Sequence, residues 1–64
     1  MLHEYRLKVY DRWGFLYGAE VGCYSKKVLT LAEISKAETE ALRDYPHDVI
    51  RAEITYAGPM RRIG

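Results

Sequence analysis

Sixty-four residues, 48% of them aliphatic, aromatic or Cys, make one small domain with enough apolar content to fold. Ten Lys/Arg against nine Asp/Glu leave a net charge of +1, which argues against a protein built around blanket neutralisation of phosphates. One cysteine, Cys23, excludes an internal disulfide framework and a multi-cysteine zinc site. The opening Met-Leu-His-Glu-Tyr-Arg lacks the pattern of a signal peptide, and no apolar run approaches the ~18 residues of a membrane helix. The expectation is a cytoplasmic protein in a reducing compartment, with no membrane contact.

Residues Leu2 to Tyr10 alternate: Tyr5, Leu7 and Val9 interleave with Glu4, Arg6 and Lys8. That period of two predicts a strand with one buried face. Asp11-Arg12-Trp13-Gly14 follows. Asp suits the first position of a type I turn, and Gly the left-handed position that closes a three-residue hairpin. Phe15 to Tyr24 then forms the second strand. With Asp11 facing Phe15, paired residue numbers sum to 26, which sets Val9 by Tyr17, Leu7 by Ala19, Tyr5 by Val21 and His3 by Cys23. The other face pairs Tyr10 with Leu16 and Arg6 with Glu20. A shift of one residue would mix the faces.

After the polar link Ser25-Lys26-Lys27, Thr30 and Glu33 have the spacing of a capping box, with Leu29 and Ile34 placed for a hydrophobic staple. The predicted helix runs from Leu31 to Asp44 or Tyr45, where Pro46 stops it. Leu31, Ile34, Ala37, Ala41, Leu42 and Tyr45 share its apolar stripe. Glu38 lies at the margin of that stripe and is expected to bend out to water. Asp48 to Tyr56 is the third strand, with Ile50, Ala52, Ile54 and Tyr56 inward and Val49, Arg51, Glu53 and Thr55 outward.

A right-handed crossover places the third strand beside the first. The expected fold is α+β, a two-layer ββαβ unit: a three-stranded antiparallel sheet in order 2-1-3 with one helix on one face. Residues 1–58 form the domain and 59–64 a short C-terminal tail. The second sheet face stays open, and both outer strands have free edges.

The chemistry-bearing residues are sparse. Cys23 and His3, opposite one another in this register, are the one suggestive nucleophile and base, but no third group orients them. His47-Asp48 with His3 lacks any metal-ligand spacing, so no metal or cofactor is implied. Gly18 and Gly22 sit four apart on the open face, where a strand glycine lets the hairpin twist or another backbone approach.

Six Tyr, one Trp and one Phe are the larger resource. Tyr10 and Tyr24 fall on the open face and Trp13 at the hairpin tip, and Trp and Tyr are enriched in binding hot spots. Together with Leu16, Arg6 and Arg51 they form the candidate partner-binding set: Tyr10, Trp13, Leu16, Tyr24, Arg6 and Arg51.

The leading expectation is a non-catalytic protein-binding module, a stoichiometric inhibitor or adaptor of a larger protein or protein complex. In size and plainness it is similar to small phage-encoded inhibitors of host defence, including anti-CRISPR proteins, although no motif carries that likeness. One alternative is nucleic-acid binding through Tyr10, Tyr24, Arg6, Lys8 and Arg51, aided by Arg61-Arg62 and Lys26-Lys27. Glu4, Glu20 and Glu53 on the same face oppose it, as does the acidic helix. The other alternative is a small enzyme using Cys23 and His3. Free edges and the open face also suggest a homodimer.

Overall fold

The computed structural model describes residues 1–60. The chain forms β1 (His3–Asp11), β2 (Val21–Ser25), α1 (Leu31–Ala41) with a 3-10 turn over Leu42–Asp44, and β3 (Val49–Pro59). The sheet is antiparallel with the expected order β2-β1-β3. Among the described residues no helix is long and apolar enough to cross a membrane.

The hairpin turn is built as the sequence implies. The Asp11 carboxylate accepts the N–H groups of Trp13 and Phe15 at 2.9 and 3.0 Å. The Gly14 N–H reaches the Asp11 carbonyl, and Gly14 adopts φ +85. Near the turn the expected register holds: Asp11 donates to Phe15, Tyr10 bridges Leu16, and Tyr17 donates to Val9.

Beyond Tyr17 that register changes. In β2, Leu7 pairs with Val21, Tyr5 with Cys23 and His3 with Ser25, two residues out of step with the turn. The slip falls around Gly18, whose φ of +69 few other residues adopt. A shift of two keeps every side chain on its face, so the hydrophobic pattern tolerates it. The slip carries Glu20 along toward Lys8, and its carboxylate spans both cations, 3.0 Å from Arg6 and 3.5 Å from Lys8. The second strand is therefore shorter than Phe15 to Tyr24, and Cys23 does not face His3.

Helix α1 starts where the capping box places it. The Thr30 hydroxyl accepts the Glu33 N–H, and the Glu33 carboxylate accepts the Thr30 N–H. The α-helical part ends at Ala41, earlier than expected, and tightens into the 3-10 turn before Pro46. Ile34, Ala37, Ala41, Leu42 and Tyr45 are half-buried, but Leu31 in the first turn is 85% exposed, against the expected stripe.

Glu38 also departs from expectation. Its carboxylate accepts the N–H of Ile54 at 2.8 Å instead of turning to water. That bond ties α1 to the outer border of β3 and satisfies an edge amide that would otherwise face solvent.

Strand β3 carries two irregularities. One lies between the pairs Tyr10–Arg51 and Asp11–Val49, leaving Ile50 as the extra residue. The bulge reverses the expected facing at this end: Val49 is buried, 5% exposed, and Ile50 is 58% exposed. Arg12 secures the same junction, donating its N–H to the Asp48 carbonyl and pairing with the Asp48 carboxylate, both at 2.9 Å. The second irregularity precedes Gly58. Pro59 still belongs to β3, and the Met60 N–H reaches the Leu2 carbonyl, so these two residues of the tail expected over 59–64 are tied to the sheet. Residues 61–64, including Arg61 and Arg62, lie outside the described residues.

The core is thin. Among the described residues only Tyr5, Leu7, Val9 and Val49 are buried, with Cys23, Ala41, Leu42, Tyr45, Ala52 and Ile54 packed around the last three. The Tyr5 hydroxyl accepts the Leu29 N–H at 2.8 Å, anchoring the chain just before the helix to the central strand.

Candidate functional site

The hairpin tip follows from its turn. With both Asp11 carboxylate bonds and the Gly14 conformation in place, the side chains of Trp13 and Phe15 project from a fixed backbone. Trp13 is 65% exposed and Phe15 71%. Trp13 does not fold over Tyr10 or Leu16 to any depth that would bury it. The Arg12 guanidinium lies 5.5 Å from the centre of its ring, and the Arg12–Asp48 pair anchors that guanidinium to the body of the domain. Tyr17, next along, is half exposed and meets Tyr45 edge-to-face at 5.9 Å.

On the open face, two groups of the expected set separate. Tyr10 is bridged to Leu16 and paired with Arg51, whose guanidinium sits 4.3 Å over the Tyr10 ring. Arg6 lies farther along the same face, opposite Gly22 and Thr55. Tyr24 is beyond Arg6, with its hydroxyl 3.4 Å from where a Cβ on Gly22 would stand. Trp13 belongs to the tip and not to the face.

The charges of this face are matched internally. Arg6 pairs with Glu4 at 3.1 Å and Glu20 at 3.0 Å, and Lys8 reaches Glu20 at 3.5 Å. Lys8 also stands opposite Glu53 in the ladder. These pairs are solvent-exposed and contribute little stability. Their effect is to cancel the field that a phosphate backbone would need.

The Cys23–His3 pairing is corrected by the β2 register. Cys23 faces Tyr5 and is half-buried, while the Nδ1 of His3, opposite Ser25, lies 2.9 Å from the Tyr56 hydroxyl. His3 also packs against the Tyr56 ring at 5.8 Å. Among the described residues, no three His, Cys, Asp or Glu side chains form a group able to hold a metal.

Two clefts flank the sheet. The larger, about 600 Å³, is bordered by Met1, Leu2, Lys26 and Met60 at the end remote from the hairpin tip. A second, of about 330 Å³, runs under α1 past Tyr5, Leu7, Cys23, Leu29, Ala37 and Ile54. Neither includes a residue of the hairpin tip, and neither brings together an acid, a base and a nucleophile.

Phe15, expected at the start of the second strand, and Ile50, expected to face inward, are both exposed apolar residues. The signal for Phe15 was present in its position directly after the turn, beyond the reach of a helix ending before Pro46. Compared with known proteins, the chain matches no family model, no curated protein and no solved structure.

Proposed function

We propose that the chain is a non-catalytic protein-binding module, an inhibitor or adaptor that docks on a larger protein through its hairpin tip. The observation that carries this reading is the pair Trp13 and Phe15, large aromatic side chains held outward on a hydrogen-bonded turn. A rigid aromatic loses little conformational freedom on binding and fills an apolar pocket, which is why such residues anchor interfaces. Leu16, Tyr10 and Arg51 adjoin the tip and form its rim. The partner that fits is a protein surface with an apolar pocket bordered by carboxylates or backbone carbonyls, complementary to Arg12 and Arg51. The self-neutralised charges of the open face favour protein over nucleic acid. A cytoplasmic setting is proposed on the same footing, because a single free thiol suits a reducing compartment.

The test compares tagged wild type with the double variant Trp13→Ala, Phe15→Ala in affinity capture from the native cells. The melting temperatures of both proteins are measured alongside. The expected result is one protein retained in stoichiometric amount by the wild type. The folded double variant should lose it by roughly thirtyfold or more, the effect of removing a hot spot. Equal capture by both proteins, or recovery only of nuclease-sensitive material, refutes the reading.

A further inference from the structure

The order β2-β1-β3 leaves β2 at one border of the sheet, and no element of the described chain pairs with its outer edge. The direction of its backbone groups follows from the rest of the ladder. Asp11 donates to Phe15 and Tyr17 donates to Val9, so odd-numbered residues of β1 bond toward the hairpin partner. Ile54, opposite Leu7, correspondingly turns its N–H away from β1 and gives it to Glu38. Successive residues of a strand direct these groups to opposite sides. Val21, Cys23 and Ser25, opposite Leu7, Tyr5 and His3, therefore bond inward, and the N–H and C=O groups of Gly22 and Tyr24 point to the open border.

We propose that a second copy of the chain pairs antiparallel along this border, the two β2 strands meeting about a two-fold axis through Cys23. In that register Gly22 of each copy faces Tyr24 of the other, and each such pair exchanges two N–H···O bonds. The result is a continuous six-stranded sheet with both helices on one face, a closed two-fold assembly.

The charge and shape of the edge suit this register. Just beyond the strand ends, Glu20 of each copy, which also holds Arg6 and Lys8, comes near Lys26 of the other, so opposite charges meet at both ends. Lys26 has no ion-pair partner among the described residues, so it is available for one. On the open face Gly22 carries no side chain of its own, and the Tyr24 ring of its own strand leans over it, so nothing there blocks the outward N–H and C=O groups. On the helix side, Val21 is 44% exposed and would pack diagonally against the other copy's Cys23. A domain with only four buried side chains among its described residues gains from such an extension.

The register predicts a specific covalent readout. Cys23 meets its symmetry mate in a narrow, non-hydrogen-bonded pair with Cα atoms about 4.5 Å apart, within the span of a disulfide. Diamide takes two electrons and two protons from the thiol pair and is itself reduced to the hydrazine. It should convert the wild type to a dimer linked through Cys23. Cys23→Ser should abolish the link but remain dimeric by sedimentation. Gly22→Pro removes one outward donor from each copy and leaves the inward ladder intact. It should weaken dimerisation about tenfold or more and suppress the link. Lys26→Glu, a surface change that spares the fold, should weaken it several-fold by opposing like charges. The double variant Trp13→Ala, Phe15→Ala should dimerise normally, so this result is separable from that of the hairpin reading. A wild type that sediments as a monomer at millimolar concentration overturns the proposal. So does a dimer that withstands both Gly22→Pro and Lys26→Glu without linking through Cys23.

Discussion

Replacing Glu38 with Ala removes a side-chain acceptor that joins α1 to the border of β3. The bond is a charged carboxylate accepting the Ile54 N–H at 2.8 Å, and the site is partly buried. A hydrogen bond to a charged group contributes about 1.5–3 kcal/mol, and the freed edge amide recovers part of that by turning to water. Ala is the better helix former, which offsets the loss by roughly a few tenths of a kcal/mol. The expected net destabilisation is about 1–2 kcal/mol. A domain of this size has only about 3–5 kcal/mol in total, so the fraction unfolded should rise visibly. The melting temperature should fall by roughly 5–15 °C. Glu38→Gln keeps an acceptor of the same reach without the charge and should lose about half as much. Urea titration reads the stability, and amide exchange at Ile54 reads the bond itself. If Glu38→Ala leaves both the urea midpoint and Ile54 exchange unchanged, the bond does not hold the helix. The packing of the helix would then rest on half-buried apolar side chains such as Ile34, Ala37, Ala41 and Leu42.

Gly14→Val should destabilise the fold by about 1 kcal/mol or more, because a β-branched residue resists φ of +85. A thermal melt showing no loss would contradict the turn. In Glu33, the bond from Lys27 and then the Thr30 N–H bring the carboxyl pKa down from 4.5 to about 2. Its folded pKa is the lower one, so its contribution is complete above the unfolded value near 4.5. It is lost as the pH falls through about 2. Glu33→Gln should therefore flatten the acid side of the stability profile between those values, and an unchanged slope would exclude the capping carboxylate as its source.

The features visible in the sequence alone are those whose cause lies within a few residues. Asp11 and Gly14 together specify the turn, through one side chain that accepts two nearby amides and one backbone that tolerates positive φ. Thr30 and Glu33 specify the helix start in the same way. The strand order is one that a right-handed crossover allows, and the inward facing of Tyr5, Leu7 and Val9 follows from their period.

Tertiary structure decided the rest, because several alternatives satisfy the same local pattern. A period of two is unchanged by a shift of two, so alternation cannot reveal the slip that sets Cys23 against Tyr5 instead of His3. Contacts across the sheet, including Glu20 with Arg6 and Lys8, accompany that choice. Val49 and Ile50 are both β-branched and apolar, so hydrophobicity alone does not say which is buried. The bulge beside the Arg12–Asp48 junction turns Val49 inward. Glu38 is the same case for a polar residue. Its marginal place on the helix is compatible with water or with a strand edge, and only the position of β3 supplies the amide it accepts.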